Sequence, residues 1–365
     1  SPCREPPAAR PPTVSAELPS GNRGRGAVVA LPMRSITYDA PGDSSVLHLV
    51  EREVPDPRAG EVRVRVHVSG VNPTDWKTRS GTGSVRVAAA ETVPNQDGAG
   101  TVDAIGAEVT GLSVGDRVWL GISGWQRPLG GTAQEFTIAL ADRVFPLPAE
   151  ADFDIGASLG VPAVTAHRAL TVGELLPDRL SRGSLAGATV LVAGGAGAVG
   201  HAAIQLARWA GATVLTTVSS EEKAVLARAA GAHHAINYRD EDAVAQVRAI
   251  APDGVDHVVE GAAGANSALN VAVVKPRATI ASYANDGGAP TTIDVGASMR
   301  LNLRYQWVLI YTMGADAWAA AGEDITAALR DRALPIGEAA GLPIHRFPLG
   351  QTAAAHDAVE GNVVG

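Results

Sequence analysis

Residues 188–200, Ala-Thr-Val-Leu-Val-Ala-Gly-Gly-Ala-Gly-Ala-Val-Gly, restrict the fold more than any other stretch of the chain. An apolar run leads into Gly195-Ala196-Gly197-Ala198-Val199-Gly200, and a helical pattern follows at once. The pattern is G-x-G-x-x-G with a strand before it and a helix after it, the context in which it signals a dinucleotide-binding βαβ unit. Gly195 is expected to permit the tight turn. Gly197 lets the backbone approach a pyrophosphate, and Gly200 lets helix and strand pack closely. Ala198 and Val199 open a helix whose unpaired N–H groups and partial positive charge face the phosphates.

The surroundings of this loop predict a doubly wound α/β domain over residues 156–300. Strands are expected at Thr189–Ala193, Thr213–Val218, Ala235–Tyr238, His257–Glu260 and Thr279–Tyr283. Helices are expected at Val199–Trp209, Glu221–Ala230, Glu241–Ile250 and Ala265–Val273. That alternation builds a parallel sheet with helices on both faces. Residues 33–155 read instead as a small, partly closed β domain. In Glu61–Val68, Val62, Val64, Val66 and Val68 alternate with Arg63, Arg65 and His67, and glycine turns separate further short strands. Residues 301–365 return to mixed structure, with an apolar and aromatic run at Tyr305–Met313 suited to a pocket wall, a core or a dimer contact. Residues 1–32, rich in Pro, Arg, Gly and Ala, are expected to be a disordered extension ahead of a natural start near Met33.

Composition removes several classes of function. A formal net charge of −8 argues against a general nucleic-acid surface, which rests on clustered Lys and Arg. No apolar run is long enough to cross a bilayer. The single cysteine, Cys3, leaves the chain no partner for an internal disulfide and no thiolate cluster for zinc. A cytoplasmic, reducing location fits that usage. The histidines show no paired metal spacing, and His233-His234 reads as a solvated loop.

The second strand points to the form of the cofactor. An NAD site places an acidic residue about 20 positions past the glycine loop, where it accepts hydrogen bonds from the ribose. Here Val218 stands at that point, followed by Ser219 and Ser220, with Lys223 one helical turn on and Tyr238 ending the third strand. Small hydroxyl donors, a lysine and a phenol suit a 2′-phosphate, which carries a charge of about −1.5 to −2. The expected cofactor is NADPH, although Glu221 and Glu222 oppose an anion.

Taken with Ser69-Gly70-Val71-Asn72-Pro73-Thr74-Asp75-Trp76, Gly115-Asp116-Arg117-Val118, Val161-Pro162-Ala163-Val164-Thr165-Ala166 and Ile236-Asn237-Tyr238-Arg239, the chain from about residue 34 onward resembles the medium-chain dehydrogenase/reductase superfamily, in its zinc-free quinone oxidoreductase (zeta-crystallin-like) branch. The resemblance implies a GroES-like catalytic domain ahead of a Rossmann domain. It also implies NADPH-dependent reduction of quinones or activated enones, and a homodimer joined through sheet edges. It assigns Lys223 and Tyr238 to the 2′-phosphate and Thr165 to the neighbourhood of the nicotinamide carboxamide. Zinc-dependent relatives carry a cysteine where this chain has Asn72 and a Gly-His-Glu stretch where it has Asn95-Gln96-Asp97. Amides are poor zinc ligands, so no metal is expected. Relatives also continue past Asn362-Val363-Val364-Gly365 into a closing strand, so a clipped last strand is expected here.

Without a metal to polarise a carbonyl, an acceptor that is already electron-poor is the natural substrate. Candidate catalytic residues lie in one loop. The Asn72 amide could meet an oxygen where charge develops, the Thr74 hydroxyl matches the proton relay of the zinc relatives, and Asp75 could orient the loop or act as an acid. The same residues are also good turn and cap chemistry. Ala262, within Gly261–Gly264 after the fourth strand, and Tyr283, ending the fifth, are expected beside the cofactor at the carboxyl edge of the sheet. Two further readings stay open. One is an enoyl-thioester or biosynthetic tailoring reductase. The other is a cofactor-binding protein with a structural or RNA-binding role, kept alive by Arg4, Arg10, Arg23, Arg25 and Arg34.

Overall fold

The structure, a computed structural model, describes residues 32–83 and 91–361. The expected disordered extension lies outside the described residues except for Pro32, which already belongs to the first strand. The expected clipped strand concerns residues 362–365, also outside them.

Strands β1 (Pro32–Thr37) and β2 (His48–Glu53) form an antiparallel pair. Next come β3 (Glu61–Gly70), helix α1 (Pro73–Ser80), β4 (Asp97–Ile105), β5 (Arg117–Leu120), β6 (Phe136–Leu140) and β7 (Val144–Pro146). Their strands make a five-stranded antiparallel sheet in the order β6-β3-β4-β5-β7. The valine alternation of β3 has the expected effect at its start, where Val62 and Val64 are fully buried with Val102, Val118 and Leu120. Register shifts against β4 fall between Arg63 and Val64 and between Val66 and Val68. Val66 and Val68 are consequently only half-buried. Such irregularities bend a strand, and this one runs out into the loop that carries Asn72.

Helices α2 (Phe153–Ala157) and α3 (Gly160–Leu170) lead into the second domain. It runs β8 (Thr189–Ala193), α4 (Ala198–Trp209), β9 (Thr213–Val218), α5 (Glu221–Ala229), β10 (His234–Asn237), α6 (Ala243–Ile250), β11 (Val255–Glu260), α7 (Ser267–Val273), β12 (Val274–Ser282), α8 (Val295–Arg300) and β13 (Arg304–Trp307). All six strands pair in parallel, in the order β10-β9-β8-β11-β12-β13. The order reverses between β8 and β11, which makes that crevice the switch point where such sheets take ligands.

The sheet departs from the sequence reading at its ends. Its sixth strand, β13, lies beyond residue 300, inside the segment expected to return to the first domain. Four residues, only half-buried or exposed, give too little periodicity to announce a strand. β12 begins at Val274 rather than Thr279, because Pro276 and the left-handed Arg277 (φ 68°) disguise its start. His234 opens β10 instead of lying in a loop.

Two late helices pack back on earlier parts of the chain. α9 (Ala315–Arg330) presents Asp324 to His167 of α3 at 2.8 Å, and the same carboxylate accepts the Leu180 N–H at 2.7 Å and pairs with Arg179. α10 (Thr352–Glu360) packs on the first domain, where His356 bonds Asn95 at 2.8 Å and Glu360 pairs with the buried Arg79 at 2.6 Å. Among the described residues no helix is long and apolar enough to cross a membrane.

Candidate functional site

Strand register gathers the expected cofactor residues on one edge. Ala193 of β8 pairs with Thr217 of β9, and Val218 pairs with Asn237 of β10. On the other side Val259 of β11 pairs with Val192, Glu260 with Ser282 of β12, and Ser282 with Trp307. The residues that leave these strands therefore share the carboxyl edge. They are the glycine loop, Ser219, Tyr238, Gly261 and Tyr283.

The glycines of the loop do different jobs. Gly194, with φ 70°, takes the left-handed turn that the sequence reading gave to Gly195. Gly195 is required for another reason, since a Cβ there would lie 2.2 Å from Thr216 Oγ1, whose hydroxyl is fixed to Val192 O. Gly200 is closely packed too, though against the loop rather than the strand, because its Cβ would stand 2.3 Å from Gly194 O. Gly197 caps α4 in ordinary extended backbone, φ −81°, and the nearest neighbour to a Cβ there is Gly194 O at 3.6 Å. The chain's own packing does not demand glycine at 197. The position forms a cradle that a side chain would fill, which fits a phosphate group approaching the backbone of Ala198 and Val199.

At the far end of the edge, Ser220 caps α5 by accepting the Lys223 N–H at 3.3 Å, so its hydroxyl is partly committed to the helix. Val218, at the place of the missing acid, is buried. Lys223 and Tyr238 are exposed, and Ser219 is half-buried. Glu221, one of the acids that oppose an anion, is turned to Arg228.

On the other side of the switch point, buried Glu260 organises the loop that follows β11. Its carboxylate accepts the Ala262 N–H at 2.5 Å, the Asn266 amide at 2.9 Å and the Asn270 amide at 2.7 Å. Tyr283 folds back over this loop, so that a Cβ on Gly261 would meet its hydroxyl at 2.6 Å. Burial, reinforced by Asp286 and Glu260, pushes the Tyr283 phenol above its ordinary pKa and keeps it a neutral donor.

The loop expected to hold the chemistry is a cap before it is anything else. Asn72 precedes α1, Pro73 takes the first helical position, and Asp75 Oδ2 accepts the Asn72 N–H at 2.7 Å. Asp75 is buried, and that burial drives its carboxyl well above the usual range. The bond to the Asn72 N–H fixes the start of α1. The Asn72 amide donates to Asp97 Oδ2 at 2.8 Å, and the same oxygen accepts the Val161 N–H in the first turn of α3 at 2.6 Å. Thr165, one turn further along α3, is buried. Thr74 accepts a 3.0 Å hydrogen bond from the Tyr311 phenol.

The sequence reading compared Asp97 with a metal-ligand stretch but gave it no role. It is fully buried, and desolvation outweighs the hydrogen bonds from Val161, Asn72 and the Ile122 backbone to push its carboxyl up to about 7. Glu260 has no role in the sequence reading, although an acid ending an apolar strand is a visible signal, and Tyr311 enters it only as part of the Tyr305–Met313 run. The residues at the zinc position do not fit that metal. Asn72 and Gln96 offer amides, Asp97 is committed to Asn72 and Val161, and among the described residues no three His, Cys, Asp or Glu gather as a metal group.

Comparison with known proteins agrees with this architecture. Residues 58–149 match the alcohol dehydrogenase GroES-like domain, and residues 198–327 match the family described as zinc-binding dehydrogenase. A quinone oxidoreductase of Rattus norvegicus is 35% identical over 73% of this chain and 80% of its own length. One of Lama guanicoe is 30% identical over 89% of this chain and 93% of its own. A mycobacterial structure complexed with NADPH superimposes with a TM-score of 0.72 at 27% identity, covering 90% of this chain and 96% of that one. With a GroES-like sheet, a six-stranded parallel sheet and these relatives, the chain belongs to the medium-chain dehydrogenase/reductase superfamily, in its quinone oxidoreductase branch.

Proposed function

We propose that the protein is an NADPH-dependent reductase that delivers hydride to a quinone or an α,β-unsaturated carbonyl without a metal ion. The observation that carries this reading is the one sheet edge on which the open Gly197 cradle is followed by Ser219, Ser220, Lys223 and Tyr238, with no acid at 218. The mycobacterial relative bound to NADPH supports the same cofactor.

In this reading Gly195, Gly197, Ala198, Val199 and Gly200 hold the pyrophosphate, and Ser219, Ser220, Lys223 and Tyr238 the 2′-phosphate. Thr165, Ala262 and Tyr283 flank the nicotinamide half. The bound cofactor supplies the hydride, and the protein supplies position and donors. Charge that develops on the acceptor oxygen meets the Thr74 hydroxyl. One hydrogen of the Asn72 amide is held by Asp97, and the reading assigns the other to the same oxygen. Asp75 fixes the loop that carries both. A quinone or enone accepts hydride under these conditions because the negative charge delocalises onto its oxygen.

Two substitutions separate the parts of this reading. Lys223→Ala is expected to raise the KM for NADPH about tenfold, through loss of one charged hydrogen bond, and to leave NADH use nearly unchanged. Equal effects on both cofactors would remove Lys223 from the phosphate. Asn72→Ala is expected to lower turnover more than cofactor affinity, and unaltered kcat would remove its amide from the chemistry. The acceptor itself is tested by following NADPH consumption against quinones, enones and enoyl thioesters. Turnover confined to thioesters would replace the first class with the second.

The outer edge of the second sheet supports a homodimer. Among the described residues β13 pairs only with β12, and Trp307 and Leu309 beside it are 57% and 48% exposed, the pattern of an edge that a second copy would cover.

A further inference from the structure

The aromatic run after β13 sends one side chain into the candidate acceptor site. Tyr311 donates its phenolic hydrogen to Thr74 Oγ1 at 3.0 Å, across 237 positions of sequence. Its ring lies against Trp125 with centroids 4.8 Å apart and planes tilted by 47°. A hydroxyl carries one hydrogen and can accept others. Because the phenol is the donor, the Thr74 hydrogen is not used in this contact. The phenol stays protonated: burial first, then Asp75, and more weakly Asp97, raise its pKa above the ordinary value against the opposing Thr74 bond. Donation into Thr74 also polarises the Thr74 O–H, because hydrogen bonds in a chain strengthen one another.

We infer that Tyr311 is a positioning residue for the proposed reduction, fixing the Thr74 hydroxyl so that its hydrogen is presented to the acceptor oxygen. The inference rests on the reductase reading above. Hydride addition brings two electrons to the acceptor and leaves one negative charge, which resides on the oxygen. The Thr74 hydrogen bonds to that oxygen as the charge forms. The neutralising proton comes from water as the product leaves, so each turnover adds one hydride and one proton and oxidises one NADPH. Tyr311 itself undergoes no net change. Its work is to stop Thr74 from turning its hydrogen elsewhere and to sharpen it as a donor.

The test is steady-state turnover of menadione with NADPH by the wild type, Tyr311→Phe, Thr74→Val, Thr74→Ser and the double variant Tyr311→Phe/Thr74→Val. Phenylalanine keeps the ring against Trp125, so tryptophan fluorescence is expected to be unchanged. Tyr311→Phe is expected to lower kcat about tenfold and Thr74→Val about 100-fold, both with the calorimetric Kd for NADPH unchanged. Adding Tyr311→Phe to Thr74→Val is expected to change nothing further, and Thr74→Ser to retain most of the activity. Wild-type kcat in Tyr311→Phe would overturn the inference. So would a tenfold loss that persists in the Thr74→Val background, since the phenol would then act through packing alone. Absence of any wild-type turnover, by contrast, would count against the reductase reading itself.

Discussion

Gly197→Val is expected to abolish NADPH binding in a protein that still folds. The expectation comes from the unequal packing of the loop. A Cβ at 195 or 200 would fall 2.2 or 2.3 Å from Thr216 Oγ1 or Gly194 O, well inside contact distance, so substitution there damages the fold. A Cβ at 197 meets nothing nearer than 3.6 Å, and the backbone there is ordinary extended chain that valine adopts readily. The two methyl groups of valine then occupy the volume through which a pyrophosphate would reach the first turn of α4. We expect calorimetric affinity to fall at least about 100-fold, on the order of 3 kcal/mol, while Tm stays within a few degrees of the wild type. Gly200→Val is the contrasting control, with loss of Tm as its first effect. Full NADPH affinity in Gly197→Val would place the phosphates somewhere else.

The second large effect belongs to Asp97. One of its oxygens holds the Asn72 amide and the Val161 N–H, so a single carboxyl joins the Asn72–Trp76 loop to the helix that carries Thr165. Asp97→Ala strips the partner from the buried Asn72 amide, at about 1–3 kcal/mol, and from the half-buried Val161 N–H, and should lower both Tm and turnover. Asp97→Asn is more revealing. The amide oxygen can keep the bonds to Asn72 and Val161, while the change removes the ionisable proton. The wild-type carboxyl, raised to about 7, keeps its proton in the folded protein at pH values where the unfolded chain has lost it. Its contribution to stability is therefore complete below about pH 4, declines as pH rises to about 7, and is flat above that. A shift of this size is worth on the order of 4 kcal/mol. The wild type minus Asp97→Asn difference in unfolding free energy should fall by that order between pH 4 and 7. His257 and His356, lowered to about 4, act in the opposite sense by losing stability as pH falls below about 6.5, but they are common to both proteins and cancel. A difference that does not change with pH would mean that Asp97 is ionised throughout.

The sequence made some of this legible and hid the rest for physical reasons. The glycine loop and the alternating strands and helices from Thr189 to Val273 were readable because each element carries its own period and its own punctuation. The Asn72–Asp75 stretch was readable as a helix start, since Asn72-Pro73-Thr74-Asp75 carries cap chemistry. Its internal wiring was not. Asp97, Val161 and Tyr311 reach that loop from 25 to 237 positions away, and no local pattern encodes such contacts. The turn glycine was misplaced by one residue because Gly194 and Gly195 are adjacent, and only the backbone angle shows which is left-handed. β13 was missed because an outer strand with half-exposed side chains has no buried face to set its period.

The proposed reduction does without a metal and leaves Asp97 to organise the loop. Amides stand where zinc relatives place ligands, and Asp97 spans the gap by hydrogen bonds. In the proposed reading the site holds its loop in place without a Lewis acid. It therefore suits acceptors that stabilise their own negative charge.

The most direct measurement is NADPH consumption with menadione by protein dialysed against a strong chelator and checked for zinc by elemental analysis. The account predicts that turnover persists undiminished at zinc contents far below stoichiometric and that NADH replaces NADPH poorly. Activity that disappears with the metal and returns when zinc is added would contradict it.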